Sequence, residues 1–392
     1  MDPFTNPFSP GAGTKPPELA GRAQVLNQAD VLLNRVKNKR SEKSLMLTGL
    51  RGVGKTVLLN AMREKAFHLG YESILVEAHE NKSMAQLMAS PLRSMLLQLS
   101  KKTAAGEAMK RCIAIFKSFV KSIKLTLGDI AVGIDIQPES GTADSGDLEL
   151  DFPEVLAALG EAAADQGSFL AILIDEIQFF DSKELSALIM AMHRVQQRQL
   201  PIAMVGAGLP ILPGLAGESK SYAERLFAFP NIGPLTHDDT RSALQEPVRP
   251  HRVAFSNSAI DRIYELTRGY PYFIQEWGYH SWVRAASTPI DIDVIDEATI
   301  ESLERLDQDF FRVRFDRCTN AEKKFMRAIA MLGDGAQQTS AIAKELGVKM
   351  NSIGPTRASL IRKGMIYSPE HGAIEFTVPL FGEFLLRAMP NL

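Results

Sequence analysis

The amino-acid sequence predicts an α/β fold, a parallel sheet with helices on both faces, followed by a winged helix-turn-helix near the C-terminus. Three observations carry this prediction. An apolar strand leads into a glycine-rich loop and a helix at residues 44–63, a second apolar strand at 169–176 ends in two acids, and strands alternate with amphipathic helices up to residue 232. Such alternation is typical of a parallel sheet that binds its ligand at the carboxyl ends of the strands.

The glycine-rich loop fits the phosphate-binding pattern G-x-x-x-x-G-K-[ST]. It consists of Gly49, Leu50, Arg51, Gly52, Val53, Gly54, Lys55 and Thr56, and Val57 follows in the helix. Backbone N–H groups in this arrangement surround an oligophosphate at a helix N-terminus, so the prediction is a P-loop NTPase. Lys55 is expected to reach the β- and γ-phosphates, and the Thr56 hydroxyl to ligate Mg²⁺. The alternative, a plain glycine-rich turn, is disfavoured by the flanking strand and helix.

The second apolar strand supplies the acids that hydrolysis requires. Its sequence FLAILIDE is a continuous apolar run, typical of a strand buried on both faces, and it ends in Asp175 and Glu176. Asp175 is expected to hold Mg²⁺ through water, and Glu176 to orient and polarise the attacking water. The alternative is that two carboxylates merely end a strand at its solvent edge. The phosphate loop upstream favours an ATPase.

The remaining elements follow in βα order. We predict strands at 71–76, 200–206 and 227–232, and helices at 83–101 and 182–198. An insertion at about 102–152 interrupts this order, with a basic amphipathic helix at 107–121, a hairpin at 122–136 and an acidic, glycine-rich loop at 139–151. The charged face of the helix predicts either a solvated surface or a nucleic-acid contact.

Composition limits the class of protein. The chain has 392 residues, 45% hydrophobic and 23% charged, with a formal net charge of −2, which excludes a globally basic nucleic-acid coat. Its two cysteines, Cys112 and Cys318, are far apart and predict free thiols in a reducing compartment. No apolar run reaches membrane-spanning length and the proline-rich N-terminus does not resemble a secretion signal, so we expect a cytoplasmic protein without membrane contact.

The C-terminal residues follow a different pattern. Helices are predicted at 320–332, 340–346 and 351–363, and short strands at 364–367 and 373–376, which together predict a winged helix. Residues 320–392 contain nine Lys or Arg and six Asp or Glu, hence a formal charge of 9 − 6 = +3. Either double-stranded DNA or a protein partner is compatible with this module. The candidate DNA-binding residues are Lys349, Asn351, Arg357, Arg362 and Lys363.

With these motifs in place, nearly the whole chain resembles the AAA+ ATPases related to origin-recognition and cell-division-control initiators, especially their prokaryotic relatives. Gly21 and Arg22 match the core of a segment that contacts adenine in that group, and Arg225 lies at the usual arginine-finger position. The resemblance implies four segments: an extended N-terminal arm at 1–18, an ATPase core at 19–233, a helical lid at 234–318 and the winged helix at 319–392. It also implies ATP or ADP as ligand, and a nucleotide-dependent homo-oligomer in which Arg225 acts on a neighbouring subunit.

Three departures from that group modify the expected activity. The predicted strand before Gly206 lacks the polar sensor residue that typical AAA+ proteins place there. The lid sequence RGYPY, 268–272, is similar to the GxP motif of STAND signalling ATPases, in which the proline, here Pro271, packs against the nucleotide. DEIQ, 175–178, is similar to ATPases that assist transposases. The departures imply slow ATP hydrolysis used as a conformational switch, and the predicted winged helix implies action on DNA or a DNA-bound partner. The alternatives are a STAND-like signalling ATPase and a transposition-assisting ATPase.

Overall fold

The structure is a computed structural model, and it describes residues 1–11, 13–102, 106–123 and 137–390. The chain divides into two compact units. The sheet unit consists of Gln24–Gly49 and Lys55–Ile232, and the helical unit of Met1–Ala23, Leu50–Gly54 and Gly233–Leu392. The boundaries expected after residues 18, 233 and 318 stay predictions.

The sheet unit is built on parallel strands. They are β1 (Ser44–Thr48), β2 (Tyr71–Glu77), β3 (Phe169–Asp175), β4 (Ile202–Gly208) and β5 (Phe227–Ala228), in the spatial order β2-β3-β4-β1-β5. The register places Glu77 opposite Asp175 and Leu45 opposite Val205. β3 is an interior strand of the sheet, apolar up to Asp175 and buried from Leu170 onward, as expected for a strand that is covered on both faces. The predicted parallel α/β fold is thereby confirmed.

Helices cover both faces of this sheet. They are α1 (Ala23–Lys37), α2 (Lys55–His68), α3 (Met84–Lys102), α4 (Glu107–Ser122), α5 (Leu148–Asp165), α6 (Ser182–Gln197), α7 (Leu212–Ser219) and α8 (Ala223–Leu226). Their apolar sides join the strands in one core that includes Phe116, Leu156, Ile172 and Met204. Burial of these side chains is the main stabilisation of the unit.

The insertion differs from the prediction at its C-terminal end. Residues 148–151, expected in a loop, form the first turn of α5 because the Asp147 side chain accepts a hydrogen bond from the Glu149 N–H (3.0 Å) and caps the helix. The Asp151 carboxylate is buried and accepts a hydrogen bond from the Ser145 hydroxyl, 2.7 Å. The loop assignment of 148–151 was therefore wrong. The hairpin predicted at 122–136 falls almost wholly on 124–136, outside the described residues, and Ser122 ends α4.

The helical unit begins with a bundle. Its helices are α9 (His237–Val248), α10 (Asn257–Thr267), α11 (Pro271–Arg284), α12 (Ile292–Arg305) and α13 (Arg312–Asp316), with a π-helical stretch at Leu306–Phe311. The N-terminal arm packs on this bundle: Phe8 is buried edge-on against Phe255, and a Cβ at Gly278 would lie 2.6 Å from the Phe8 ring. No helix in the described part of the chain is both long and apolar enough to cross a membrane.

The C-terminal module, residues 319–390, combines helices with a small antiparallel sheet. Its elements are α14 (Asn320–Met331), β6 (Gln337–Gln338), α15 (Thr339–Glu345), α16 (Gly354–Arg362), β7 (Ile366–Tyr367), β8 (Ala373–Phe376) and α17 (Phe381–Ala388), with strand order β6-β8-β7. α16 begins later than the predicted residue 351. Pro355 lies in its first turn, the place where a helix tolerates a residue without a backbone N–H, and Met350–Ser352 form a separate 3₁₀ turn before it. β6 and α17 were not predicted.

Candidate nucleotide site

The start of α2 and the end of β3 meet in the sheet unit. Lys55 is 6% exposed, and its Nζ donates a hydrogen bond to the Gly49 carbonyl, 2.8 Å away. The Thr56 hydroxyl donates to Asp175 Oδ2 at 2.5 Å. β4 separates β1 from β3 in the sheet, so the loop after β1 carries Thr56 across the end of β4 to reach the carboxylate. The loop lysine, the hydroxyl and the carboxylate are therefore gathered at one edge of the sheet.

Asp175 is a buried carboxylate with two hydrogen-bond donors. Burial raises its pKa, the hydrogen bond from Thr56 lowers it, and the neighbouring Glu176 raises it again, with a net shift upward. The Glu176 N–H donates to Asp175 Oδ1 at 2.8 Å. A nearby cation favours the charged form of a desolvated carboxylate such as that of Asp175.

These residues fit Mg²⁺. A hydroxyl and a carboxylate are the hard oxygen ligands that Mg²⁺ prefers, and Mg²⁺ is commonly held by one or two protein oxygens together with phosphates and water. Within the described ranges, no group of three or more His, Cys, Asp or Glu side chains could hold a metal alone. Thr56 and Asp175 can thus supply the protein ligands of a Mg²⁺ ion whose other ligands are nucleotide phosphates and water.

The turn after β3 holds Glu176 in an unusual conformation. Its φ and ψ are 54° and 37°, the left-handed region that costs a non-glycine residue free energy and is frequent at active sites. One Glu176 carboxylate oxygen accepts a hydrogen bond from the Gln178 side-chain amide. Gln178 Oε1 in turn accepts from the Leu209 N–H, 3.0 Å, just beyond the end of β4. Gln178 therefore links Glu176 to β4.

Gln178 was not predicted as a site residue, although it belongs to the DEIQ sequence that was singled out. The Gln178 side chain lies very close to Gly208 at the end of β4. A Cβ at Gly208 would lie 2.7 Å from Gln178 Oε1, so a larger residue there would displace the Gln178 amide. The end of β4, where a polar sensor side chain was expected and is missing from the sequence, is thus contacted by the Gln178 amide instead.

Within the helical unit, Arg22 supports residues of the phosphate loop. Its Nη2 donates to the carbonyls of Val53 (3.1 Å) and Gly233 (2.7 Å). Burial lowers the Arg22 pKa, and the Asp239 carboxylate opposes this shift. Gly21 has φ +69°, and a Cβ there would lie 2.7 Å from Asp239 Oδ2, so glycine is required. Arg22 fixes the loop backbone; the adenine contact expected of Gly21 and Arg22 stays a prediction.

Arg51 of the phosphate loop is bound through its backbone by two parts of the helical unit. The Arg51 N–H donates to the Thr377 carbonyl in the C-terminal module at 3.1 Å, and the Tyr270 hydroxyl donates to the Arg51 carbonyl. Gly52, with φ +85°, lies against the Tyr270 ring, where a Cβ would be 3.0 Å from Cε1. The RGYPY sequence offered a signal for Tyr270, whereas nothing in the sequence pointed to Thr377.

The other residues predicted from the resemblance are placed as follows. Pro271 is half-buried in the first turn of α11, and Arg225 is exposed on α8 just before β5. The roles of both residues stay predictions.

The five candidate DNA-binding residues differ in their surroundings. Lys349, Asn351 and Arg362 are exposed. Arg357 is half-buried and donates to the Ser368 hydroxyl at 3.2 Å, and the Lys363 ammonium donates to Glu322 Oε2 at 2.7 Å. Three of the five side chains thus remain available at the surface, while two are engaged within the module.

Comparison with known proteins finds two family models that match parts of the chain. Residues 18–205 match the AAA ATPase domain, and residues 308–385 match a domain of unknown function, DUF8462. The chain therefore has the P-loop AAA+ fold, and its residues 18–205 are similar to the AAA ATPase domain. No curated protein sequence matches the chain.

Several solved structures match this chain at low sequence identity. A Walker-type ATPase of Pyrococcus abyssi is 16% identical, with 94% of this chain and 96% of that chain covered and a TM-score of 0.57. Cdc6p of Pyrobaculum aerophilum is 16% identical over 99% of both chains with a TM-score of 0.49. The ORC2 protein of Aeropyrum pernix is 14% identical over 97% of this chain and 98% of that chain, with a TM-score of 0.48. The first likeness supports the AAA+ fold.

Proposed function

We propose that this protein is an ATP-binding switch that hydrolyses ATP slowly. The observation that carries the proposal is the convergence of Lys55, Thr56 and Asp175 at one edge of the parallel sheet. The Lys55 ammonium now held by the Gly49 carbonyl would exchange that partner for the β- and γ-phosphate oxygens, which are stronger acceptors. Thr56 and Asp175 would hold Mg²⁺, which when bound neutralises phosphate charge.

Glu176 is the residue that acts on the attacking water. A carboxylate at the end of β3 can accept the proton of a water and orient it in line with the γ-phosphate. In the structure one of its oxygens is occupied by the Gln178 amide, and the Gln178 carbonyl is held by the Leu209 N–H. This contact supports slow turnover, because the oxygen that the Gln178 amide holds would have to be released before it could accept a proton from water.

The switch part of the proposal is supported by Arg51. Its N–H donates to the Thr377 carbonyl and its carbonyl accepts from the Tyr270 hydroxyl, so a loop rearrangement on phosphate binding would change both hydrogen bonds. A ligand shifts a conformational equilibrium only through different contacts in its two states, and these backbone bonds provide such a difference. The C-terminal module would then respond to the bound nucleotide.

The C-terminal module is proposed to be a winged helix that contacts double-stranded DNA. α14, α15 and α16 precede the β7–β8 hairpin, which is the element order of that motif. Lys349 and Asn351 lie just before α16 and Arg362 ends it, all three exposed. The formal charge of +3 supports weak, salt-sensitive phosphate contact.

A second candidate function is favoured by the Thr377–Arg51 hydrogen bond. A module that holds the phosphate loop suits a signalling ATPase in which the C-terminal module is a protein-docking element and does not contact DNA. The two candidates share the ATP site and differ in the partner.

ATP binding tests the shared part. We expect Lys55→Ala to weaken ATP binding by at least about 100-fold in calorimetric titrations with Mg²⁺, since one charge-assisted contact to a dry phosphate is lost. Lys183→Ala, which alters an exposed lysine of α6, is the matched control and should bind like the parent. Equal affinity of Lys55→Ala and the parent would refute the nucleotide site.

A further inference from the structure

The N-terminal arm contains the same short turn twice. Asp2-Pro3-Phe4-Thr5 and Asn6-Pro7-Phe8-Ser9 are adjacent four-residue segments of similar chemistry. In each, the side chain of the first residue accepts a hydrogen bond from the N–H of the phenylalanine, at 2.9 Å for Asp2 and 3.0 Å for Asn6. The φ and ψ of the two first residues also agree, −65° and 118° for Asp2 and −61° and 118° for Asn6. Both segments are therefore Asx turns that present a phenylalanine.

The two phenylalanines differ in burial. Phe8 is 2% exposed, whereas Phe4 is 97% exposed. Phe8 packs edge-on against Phe255 and lies over Gly278 of α11. The three atoms closest to a Cβ added at Gly278 all belong to the Phe8 ring, at 2.6, 2.7 and 2.8 Å. The pocket between Phe255 and α11, here called the Phe8 pocket, thus has room for a ring because residue 278 has no side chain.

Polar contacts distinguish the residue that opens the turn. The Asn6 side-chain amide donates to the Tyr279 carbonyl at 3.1 Å, and Gln275 Oε1 accepts from the Ser9 N–H at 3.2 Å. An aspartate in place of Asn6 would have no N–H to donate, and its carboxylate would face the carbonyl oxygen of Tyr279. The pocket therefore favours an Asn-Pro-Phe turn over an Asp-Pro-Phe turn, in agreement with the burial of Phe8 and the exposure of Phe4.

The docked turn makes its contacts through four consecutive residues, so any chain that offers the same four can make them. Residues 10–17, which follow the turn, contain three prolines and two glycines. The described residues among them lie in no helix or strand. The Asn6–Ser9 turn is thus held by its own contacts in the Phe8 pocket and not by an element that follows it.

We propose that the Phe8 pocket is a binding site for an Asn-Pro-Phe turn, and that the arm of a second copy of this protein occupies it in exchange for the chain's own arm. Exchange of an identical segment between copies keeps every contact of the docked turn and is a low-cost route to a dimer. The chain's own arm is tethered beside the pocket and competes with the incoming arm at a high effective concentration. The pocket thereby couples release of the arm to pairing of two copies.

A synthetic peptide of residues 2–10 tests the pocket. Fluorescence anisotropy measures its binding to full-length Phe8→Ala protein, whose own arm has lost its anchor. We expect the peptide to bind this protein, and to bind the parent at least about tenfold more weakly, because the tethered arm competes. Within the peptide, Phe8→Ala and Asn6→Asp should each weaken binding at least about tenfold. Phe4→Ala in the peptide is the matched control and should leave binding unchanged.

Two protein variants that each lack one half of the contact test exchange between copies. Gly278→Ala places a methyl group where the Phe8 ring lies, which closes the pocket and releases an intact arm, and alanine suits a helix better than glycine. Phe8→Ala keeps the pocket but lacks the anchor. We expect a mixture of the two to form a 1:1 complex in sedimentation experiments that neither variant forms alone. The control partner is the double variant Gly278→Ala/Phe8→Ala, whose arm is released but has no phenylalanine at position 8.

Three results would overturn the proposal. If the Phe8→Ala peptide binds as tightly as the Phe4→Ala peptide, the pocket does not recognise the Asn-Pro-Phe turn. If Phe8→Ala protein binds the peptide but forms no complex with Gly278→Ala protein, a second copy is not the occupant. If Phe8→Ala protein shows no cooperative melting transition, Phe8 is a part of the core and not an exchangeable ligand.

Discussion

The backbone N–H of Arg51 donates a hydrogen bond to the carbonyl oxygen of Thr377, 3.1 Å away. These residues are more than three hundred positions apart in the chain, yet one belongs to the phosphate loop and the other follows the last strand of the C-terminal module. Thr377 is almost fully buried, and its hydroxyl donates to the Gly364 carbonyl at 2.6 Å, which fixes the carbonyl that Arg51 contacts. Arg51 of the phosphate loop is therefore hydrogen-bonded to the C-terminal module within the helical unit.

Catalysis should depend on Glu176 and be restrained by Gln178. Glu176→Gln is expected to bind ATP normally and to lose at least about 100-fold in turnover, because an amide cannot accept the proton of the attacking water. Gln178→Leu keeps a side chain of similar volume but removes the amide that donates a hydrogen bond to Glu176. This substitution should raise turnover about three- to tenfold in a phosphate-release assay. A fall in turnover with unchanged ATP affinity would show instead that Gln178 positions Glu176 for the reaction.

The fold could be predicted because its signals are local. The apolar run that ends at Asp175, and the loop between β1 and α2, each fix their own strand or helix, and parallel pairing brings the strand ends to one edge. By contrast, the Gln178 amide reaches Leu209, and Thr377 reaches Arg51, through packing of residues far apart in sequence. No periodicity encodes such contacts.

Two helix boundaries were missed for a different reason. α16 starts at Gly354 because Pro355 has no N–H to donate and fits only the first turn of a helix, and α5 starts at Leu148 because Asp147 caps it. Both are local effects of a single side chain, and a helical pattern of apolar residues does not reveal them.

The stability of the C-terminal module should depend on pH through Glu322. Burial would raise its pKa, but hydrogen bonds from Lys363, the Thr319 N–H and Ser359 outweigh this and lower it from 4.5 to about 2. Since the pKa is depressed in the folded state, the stabilisation is complete above about pH 4.5 and is lost as the pH falls towards 2.

Glu322→Gln should accordingly reduce the free energy of unfolding by about 2–3 kcal/mol at pH 7, and the difference from the parent should shrink as the pH falls below 4.5. Denaturant unfolding followed at several pH values measures it. Glu345→Gln, an exposed acid of α15, is the matched control. If Glu322→Gln lowers the free energy of unfolding by the same amount at pH 7 and pH 3, Glu322 contributes by packing and not by its charge.

Assembly is tested through Arg225, which is exposed on α8. If its guanidinium completes the site of a neighbouring subunit, Arg225→Ala should lose ATPase activity while retaining ATP binding. Mixing Arg225→Ala with Lys55→Ala protein should then restore part of the activity, since some interfaces pair an intact arginine with an intact loop. Absence of rescue, together with a monomer by light scattering in ATP, would leave Arg225 as a surface residue.

Contact with DNA is tested on the exposed residues of the C-terminal module. Lys349→Glu combined with Arg362→Glu should abolish binding to a short duplex at low salt and leave ATP affinity unchanged. For the parent, two or three phosphate contacts give a slope of about −2 to −3 in a plot of log affinity against log salt concentration. Lys344→Glu, an exposed lysine on α15, controls for charge alone. A parent that binds no duplex in either nucleotide state would favour the signalling function.

The most direct test of the central claim is amide hydrogen exchange of the full chain with and without ATP and Mg²⁺. If nucleotide at the phosphate loop acts on the C-terminal module through Arg51, ATP should change exchange in the peptides that cover 47–56 and 364–378 together. In Lys55→Ala protein both changes should disappear. A parent that binds ATP and changes exchange at 47–56, but shows none at 364–378, would contradict the proposed switch.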